Sequence, residues 1–284
     1  MALTTTREVM THAAEAGRAA LAFNVVTLEH IEAVVAGAHD AGSAVIVQIS
    51  QNAVRFHGGR VHPLAAAAAE SARAAAFPVA LHLDHVEDAA LLRQAASAGF
   101  SSAMFDAGAM PYEDNVAATR AAAQWAHAHG LWLEAELGFV GGKPGVAASA
   151  HGAGVRTDPA EASAFVERTG VDALAVAVGS SHAMTSRSAT LDHGLIALLR
   201  NAVPVPLVLH GSSGVPDDEL RRAVDEGMVK INVGTALSLA FTAAVRSELD
   251  SDPTVVDPRR YLQSARKAMS ATVHDLFAAL APTH

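Results

Sequence analysis

"VPLVLHGSSGVPDDELRRAVDEGMVKIN", residues 205–232, holds one complete repeat of the architecture. An apolar run over 205–210 ends on His210, and a Gly/Ser turn follows. Pro216 and a group of acids then open a helix that Gly227 stops, and a second apolar run fills 228–232. Proline and acids in a first turn suit the positive end of a helix, and a glycine just past the last turn ends it. Two strands joined through a helix lie parallel in one sheet.

Outward from this unit the same alternation continues in both directions. Strand candidates stand at 20–25, 44–49, 79–84, 101–105, 131–136, 172–178, 205–210 and 228–232, each but the sixth followed promptly by helical sequence. Thr27 reads as the cap of the helix that follows the first. Eight such units predict a (β/α)8 TIM barrel. An open doubly wound sheet would want a glycine-rich phosphate turn after its first strand, and "AFNVVTLEH" has none. The reading is one domain over 1–284, with the barrel at about 18–248 and a helical extension at about 257–281. At 51% hydrophobic but only 5% aromatic, the core is built from Ala, Val, Leu and Ile.

Composition excludes several function classes. A formal charge of -9 without clustered Lys and Arg argues against a nucleic-acid surface. No run approaches the roughly 18 apolar residues of a membrane span, and "MALTTTREVM" is no signal sequence, so a soluble cytoplasmic protein is expected. There is no cysteine, so a metal site must draw on carboxylates and the 15 histidines.

On this fold the C-terminal strand ends form the catalytic face. They carry Asp84 and His85, Asp106, Glu134 and Glu136, His210 and Asn232, while the sixth strand runs into His182. Three imidazoles from separate strands, with a coordination position left open, suit a catalytic zinc, although a single strand-end histidine is more often a satisfied polar residue. Asp84 reads either as a proton carrier beside a metal ligand or as an acid that orients a histidine. Gly211 to Gly214 after the seventh strand, and Asn232, Gly234 and Thr235 after the eighth, are adjacent helix-opening turns able to hold a phosphate. Each alone would read as a helix cap. Long loops at 138–157 and 179–190 lie on the same face.

With "LHLDH", "LEAELG", "LAVAVGSSHA", the 207–237 stretch and "DPRRYL", the chain resembles the class II, metal-dependent ketose-bisphosphate aldolases of the fructose- and tagatose-bisphosphate type, in order over nearly its whole length. The resemblance implies Zn2+ held by His85, His182 and His210, with Asp84 as proton donor. Asp106 and Glu136 match the family's alternative metal position, and a monovalent cation can accompany it. Dihydroxyacetone phosphate would meet Asn24, Ser50 and the backbone at Ala183, its phosphate bound by Gly211, Ser212 and Ser213 and by Asn232, Val233, Gly234 and Thr235. The partners implied are a phosphorylated sugar and a second copy of the chain in a homodimer or homotetramer, with no nucleic acid and no membrane.

Three positions depart from that pattern. Pro144 stands where the family carries a mobile-loop glutamate, Val86 follows the strand-end histidine, and Ala183 replaces a glycine. Proline cannot move a proton, which leaves Glu134, Glu136 and His151 as candidate replacements, or a shifted substrate, or a phosphosugar binder without turnover. A Schiff-base aldolase is the mechanistic rival. Lysines stand only at 143, 230 and 267, and either Lys230 or Ile231 faces the barrel interior. Arg259 and Arg266 read as solvated, or as contacts to a second anionic group.

Overall fold

The computed structural model describes residues 2–138 and 156–281. Eight parallel strands close on one another: β2 (Ala20–Asn24), β3 (Val45–Ser50), β4 (Val79–Val86), β5 (Ser102–Phe105), β6 (Trp132–Leu137), β7 (Ala173–Val176), β8 (Leu207–Leu209) and β9 (Met228–Val233), with β9 pairing back onto β2. All eight expected strands are present. The strand expected at 205–210 is cut to three residues, because Pro204 and Pro206 have no N–H to give the ladder. Around the barrel lie α2 (Leu28–Asp40), α3 (Gln51–Phe56), α4 (His62–Ala74), α5 (Ala89–Leu92), α6 (Tyr112–Ala128), α7 (Pro159–Thr169), α8 (His193–Ala202), α9 (Asp217–Glu226) and α10 (Thr235–Ser251). Gly227 ends α9 with φ at 126°, as its place in the sequence requires. Thr27 stands at the cap of α2, but its hydroxyl donates to Glu29 instead of capping.

Strand alternation sorts the side chains. Leu21, Phe23, Val47, Ile49, Leu81 and Leu83 point outward into the helix-facing core. Ala20, Ala22, Ile46, Ala80, Trp132, Ala173, Ala175 and Val208 form the floor of the interior. Above that floor the interior turns polar: Gln48, His82, Ser102, Glu134 and Lys230 are all fully buried. Because side chains recur on one face every second residue, Gln48, His82, Glu134 and Lys230 sit one step below the rim residues Ser50, Asp84, Glu136 and Asn232.

Two elements precede the expected barrel start near residue 18. The short β1 (Leu3–Thr4) pairs with the beginning of β4, and α1 (Thr6–Glu15) closes the floor with Val9, Met10 and Ala13. A reciprocal cap between Thr5 and Glu8 starts α1, and Ser102 donates to Thr6 at 2.6 Å.

The expected helical tail is α11 (Pro258–Ala279), started by Pro258 behind the cap residue Asp257. It packs on α2 and α10, and its closest approach is at Gly37, where an added Cβ would meet the Ser270 carbonyl and lie 2.7 Å from Val273 Cβ. Gly37→Ala should therefore lower stability by about 1–3 kcal/mol through overpacking. Urea denaturation reads this, and an unchanged midpoint would show that α11 is not tightly seated.

Candidate metal centre

Adjacent strand residues normally point to opposite faces, yet Asp84 and His85 both address the rim. The backbone resolves this at His85, which takes φ 47°, while the pairing of β4 with β5 shifts register between Leu83 and Val86. A positive φ is costly for a residue with a Cβ and is tolerated where the surroundings hold it. His85 Nδ1 lies 3.1 Å from Asp106 Oδ2, a contact that fixes the ring from outside.

His182 arrives from the loop after β7. Gly211 allows this, because a Cβ there, already disfavoured at φ 67°, would sit 2.6 Å from the Ser181 carbonyl carbon. His210 follows β8 directly and is fully buried. The ring centroids of His85 and His210 are 4.8 Å apart, those of His85 and His182 5.1 Å, and those of His182 and His210 5.8 Å, with interplanar angles between 58° and 75°. One ligating atom from each of His85, Glu136, His182 and His210 lies within 4.8 Å of the others. Three nitrogens and a carboxylate converging at mutual angles fit a divalent cation of the borderline, four-coordinate kind. Asp106 is not among these four and acts on His85 instead.

Beneath them runs a chain of buried charge. His210 Nδ1 is 2.9 Å from Glu136 Oε2, and its Nε2 is 2.9 Å from Glu134 Oε1. Lys230 Nζ donates to Glu134 Oε2 at 2.7 Å. Burial pushes the His210 pKa down, but its bonds to Glu134 and Glu136 prevail and lift it to about 9. Glu134 is held well below the usual carboxylate range, burial being overcome chiefly by the Lys230 ammonium. For Asp84 the burial penalty is outweighed by His85, His82, His210 and Lys230, which bring it to about 2. His82 moves the other way, to about 3, through burial and the nearby Lys230. In the cation-free protein Asp84 is thus a carboxylate, its Oδ2 accepting from Asn24 Nδ2 at 2.7 Å, while Gln48 donates to Asn24 Oδ1. Asp84 Oδ1 is buried without a hydrogen-bond partner among the described residues.

The two glycine-bearing turns are tied together beside this centre. Ser212 donates to the Asn232 carbonyl at 2.5 Å, and Ser213 Oγ accepts from Ala236 N–H at 3.1 Å. The Ser212 hydroxyl proton, expected to face an anion, is therefore committed to joining the loops. Backbone N–H groups around Gly211, Gly234 and Thr235, at the start of α10, are what the pair offers an anion. Val233 pairs across to Phe23, and Gly234 abuts Asn24, where a Cβ would be 3.4 Å from Oδ1. Ser50 caps α3 by accepting from Ala53 N–H. Ala183 adopts φ 57° where a glycine would be unstrained.

Other expected residues fall elsewhere. Lys230, not Ile231, faces the interior, and it is paired with Glu134. That pairing also removes Glu134 from the candidate free bases. Lys143, Pro144 and His151 lie outside the described residues. Arg259 pairs with Asp257 and Arg266 with Glu32 on the surface. His82 and Gln48 do not stand at strand ends, but alternation back from Asp84 and Ser50 marks both as inward.

The family model for class-II fructose-bisphosphate aldolase matches residues 4–283. The chain is 39% identical over 276 residues to a fructose-bisphosphate aldolase of Geobacillus stearothermophilus, covering 96% of this chain and 95% of that one. Its fold matches that of the YdjI aldolase from Escherichia coli K12 with a TM-score of 0.83 at 30% identity, covering 98% of this chain and 97% of that one. A fructose-bisphosphate aldolase from Campylobacter jejuni gives a TM-score of 0.83 at 24% identity over 98% and 95% of the two chains, a likeness of fold alone. Among the described residues no helix is long and apolar enough to cross a membrane.

A cation at this centre would have to compete with protons. With the His210 pKa raised to about 9, the stability its ion pairs supply is complete below about 6.5 and drains as pH rises through 9. Ligation of a cation by His210 requires the neutral ring, so the gain from cation binding grows over the same interval. Melting temperatures of chelator-treated protein should fall from pH 6.5 to 9 while the increase on adding divalent cation widens. A cation-induced increase that stays constant across that range contradicts displacement of an imidazole proton.

Proposed function

The chain belongs to the class-II fructose-bisphosphate aldolase family, and from that premise we propose that it is a zinc-dependent lyase that cleaves and forms a ketose 1,6-bisphosphate of the fructose or tagatose type, with dihydroxyacetone phosphate as the nucleophilic half. The observation that carries this reading is the convergence of His85, His182 and His210 with Glu136 beside a buried carboxylate that is not a ligand.

Bound zinc would polarise the ketone oxygen and stabilise the negative charge that develops there as the carbon–carbon bond breaks. Asp84 does the proton work. Held ionised and oriented by Asn24, it takes the hydroxyl proton from the carbon that becomes the aldehyde, and in the condensation direction it returns that proton. The turns at Gly211 to Ser213 and Asn232 to Thr235 anchor the phosphate through backbone N–H groups, which fixes the ketone against the imidazoles. Their tie through Ser212 keeps both turns in one arrangement. Lys230 is fully buried in its ion pair, an arrangement that supports metal chemistry over a covalent amine mechanism.

One residue favours a second reading. Pro144, in place of an acid-base residue, would suit a phosphosugar binder without turnover. A retro-aldol screen of zinc-loaded protein on fructose and tagatose 1,6-bisphosphates, detecting dihydroxyacetone phosphate, separates the two. Cleavage of at least one is expected, abolished by a chelator, restored by zinc, and slowed about 10²–10⁴-fold in Asp84→Ala with its zinc content retained. Binding of these sugars without cleavage would select the second reading, and a borohydride-trapped adduct on Lys230 would replace the mechanism.

A further inference from the structure

The proposed reaction leaves the most deeply buried charges unused. Lys230 and Glu134 are fully buried, joined at 2.7 Å, and Glu134 reaches His210 Nε2 with its other oxygen at 2.9 Å. On the opposite edge of the ring, His210 Nδ1 faces Glu136 Oε2, also at 2.9 Å. Glu136 belongs to the cluster of converging ligand atoms and Glu134 does not. The ring therefore stands between a carboxylate on the metal side and one on the barrel side.

We propose that Glu134 and Lys230 are positioning residues for the metal: Glu134 accepts the N–H at His210 Nε2 and so leaves the lone pair on Nδ1, while Lys230 holds Glu134 in that orientation and away from the cation. This rests on reading the centre as a zinc site. Neutral imidazole has one N–H and one lone pair, and the partner of one nitrogen decides what the other presents. A carboxylate on the distal N–H also makes the ring a stronger donor, and such partners typically contribute 10- to 100-fold in metal affinity. Glu134 without its ammonium would be a second interior carboxylate free to compete for the cation. Three of the four Lys230–Glu134–Glu136–His210 groups come from the two strands β6 and β9, which are rigid barrel elements, so the orientation is built into the scaffold. An ion pair in this place is a weak source of stability, since apolar residues of similar volume often serve as well, and it is better understood by what it orients.

Metal affinity is the readout, by competition with a chromophoric chelator, together with the ligand-field absorption of the cobalt(II) form. Two variants are compared with wild type: Glu134→Gln, which keeps the shape, and Glu134→Gln with Lys230→Met, which removes both charges and leaves no lone buried ion. Both should bind zinc about 10- to 100-fold more weakly, with a shifted cobalt spectrum. If Glu134→Gln alone does not fold, the double variant decides. A folded double variant with wild-type affinity and an unchanged cobalt spectrum overturns the inference and leaves the zinc reading standing. A wild-type chain that binds no divalent cation overturns both.

Discussion

Polar groups sent into the dry interior of a closed parallel barrel must satisfy one another there, and here the Lys230–Glu134–His210 chain meets that constraint. Each member is fully buried, and each bond is between 2.7 and 2.9 Å. Taking such charges out of water is expensive, and removing one partner strands the next. The apolar floor beneath, closed by Val9, Met10 and Ala13 of α1, excludes water from below. The polar layer therefore faces one way, toward the rim where the strands end.

That orientation turns architecture into chemistry. β4 contributes two neighbouring side chains to one rim by turning its backbone through φ 47° at His85, and Asp106 holds the resulting ring. β6 and β8 contribute Glu136 and His210, and the loop after β7 brings His182 against Gly211. The surrounding charges then fix protonation: Asp84 at about 2 is a carboxylate, whereas His210 at about 9 holds a proton that a cation must displace. A buried proton acceptor beside a cluster of converging ligand atoms, next to two helix-opening turns, is the arrangement on which the proposed cleavage of a phosphorylated ketose rests.

Much of this was legible in residue order. Alternating apolar runs and capped helices gave the eight strands, and polar residues at their ends gave His85, His182, His210 and Asp84, because strand ends on this fold must face the site. What escaped depended on the third dimension. The cap of α1 is written in Thr5 and Glu8, but nothing in those residues says that the helix closes a barrel floor. Glu134 reads like Glu136 along the chain, yet one carboxylate faces Lys230 and the other joins the ligand cluster, a difference set by one layer of depth. Asp106, a match to an alternative metal position in the sequence, lies 3.1 Å from His85 Nδ1 and outside the four converging ligand atoms. Ser212 looked like an anion donor until its hydroxyl found the Asn232 carbonyl.

The proposed centre requires one cation shared by His85 and two imidazoles that lie 97 and 125 positions further along the chain, separations that barrel closure bridges. Anomalous diffraction from a zinc-soaked crystal, recorded on both sides of the zinc edge, addresses that claim most directly. The expected map has one strong peak bonded at roughly 2.0–2.1 Å to a nitrogen of each of His85, His182 and His210. A peak elsewhere, or rings that remain fixed on their carboxylates with no peak between them, would contradict it.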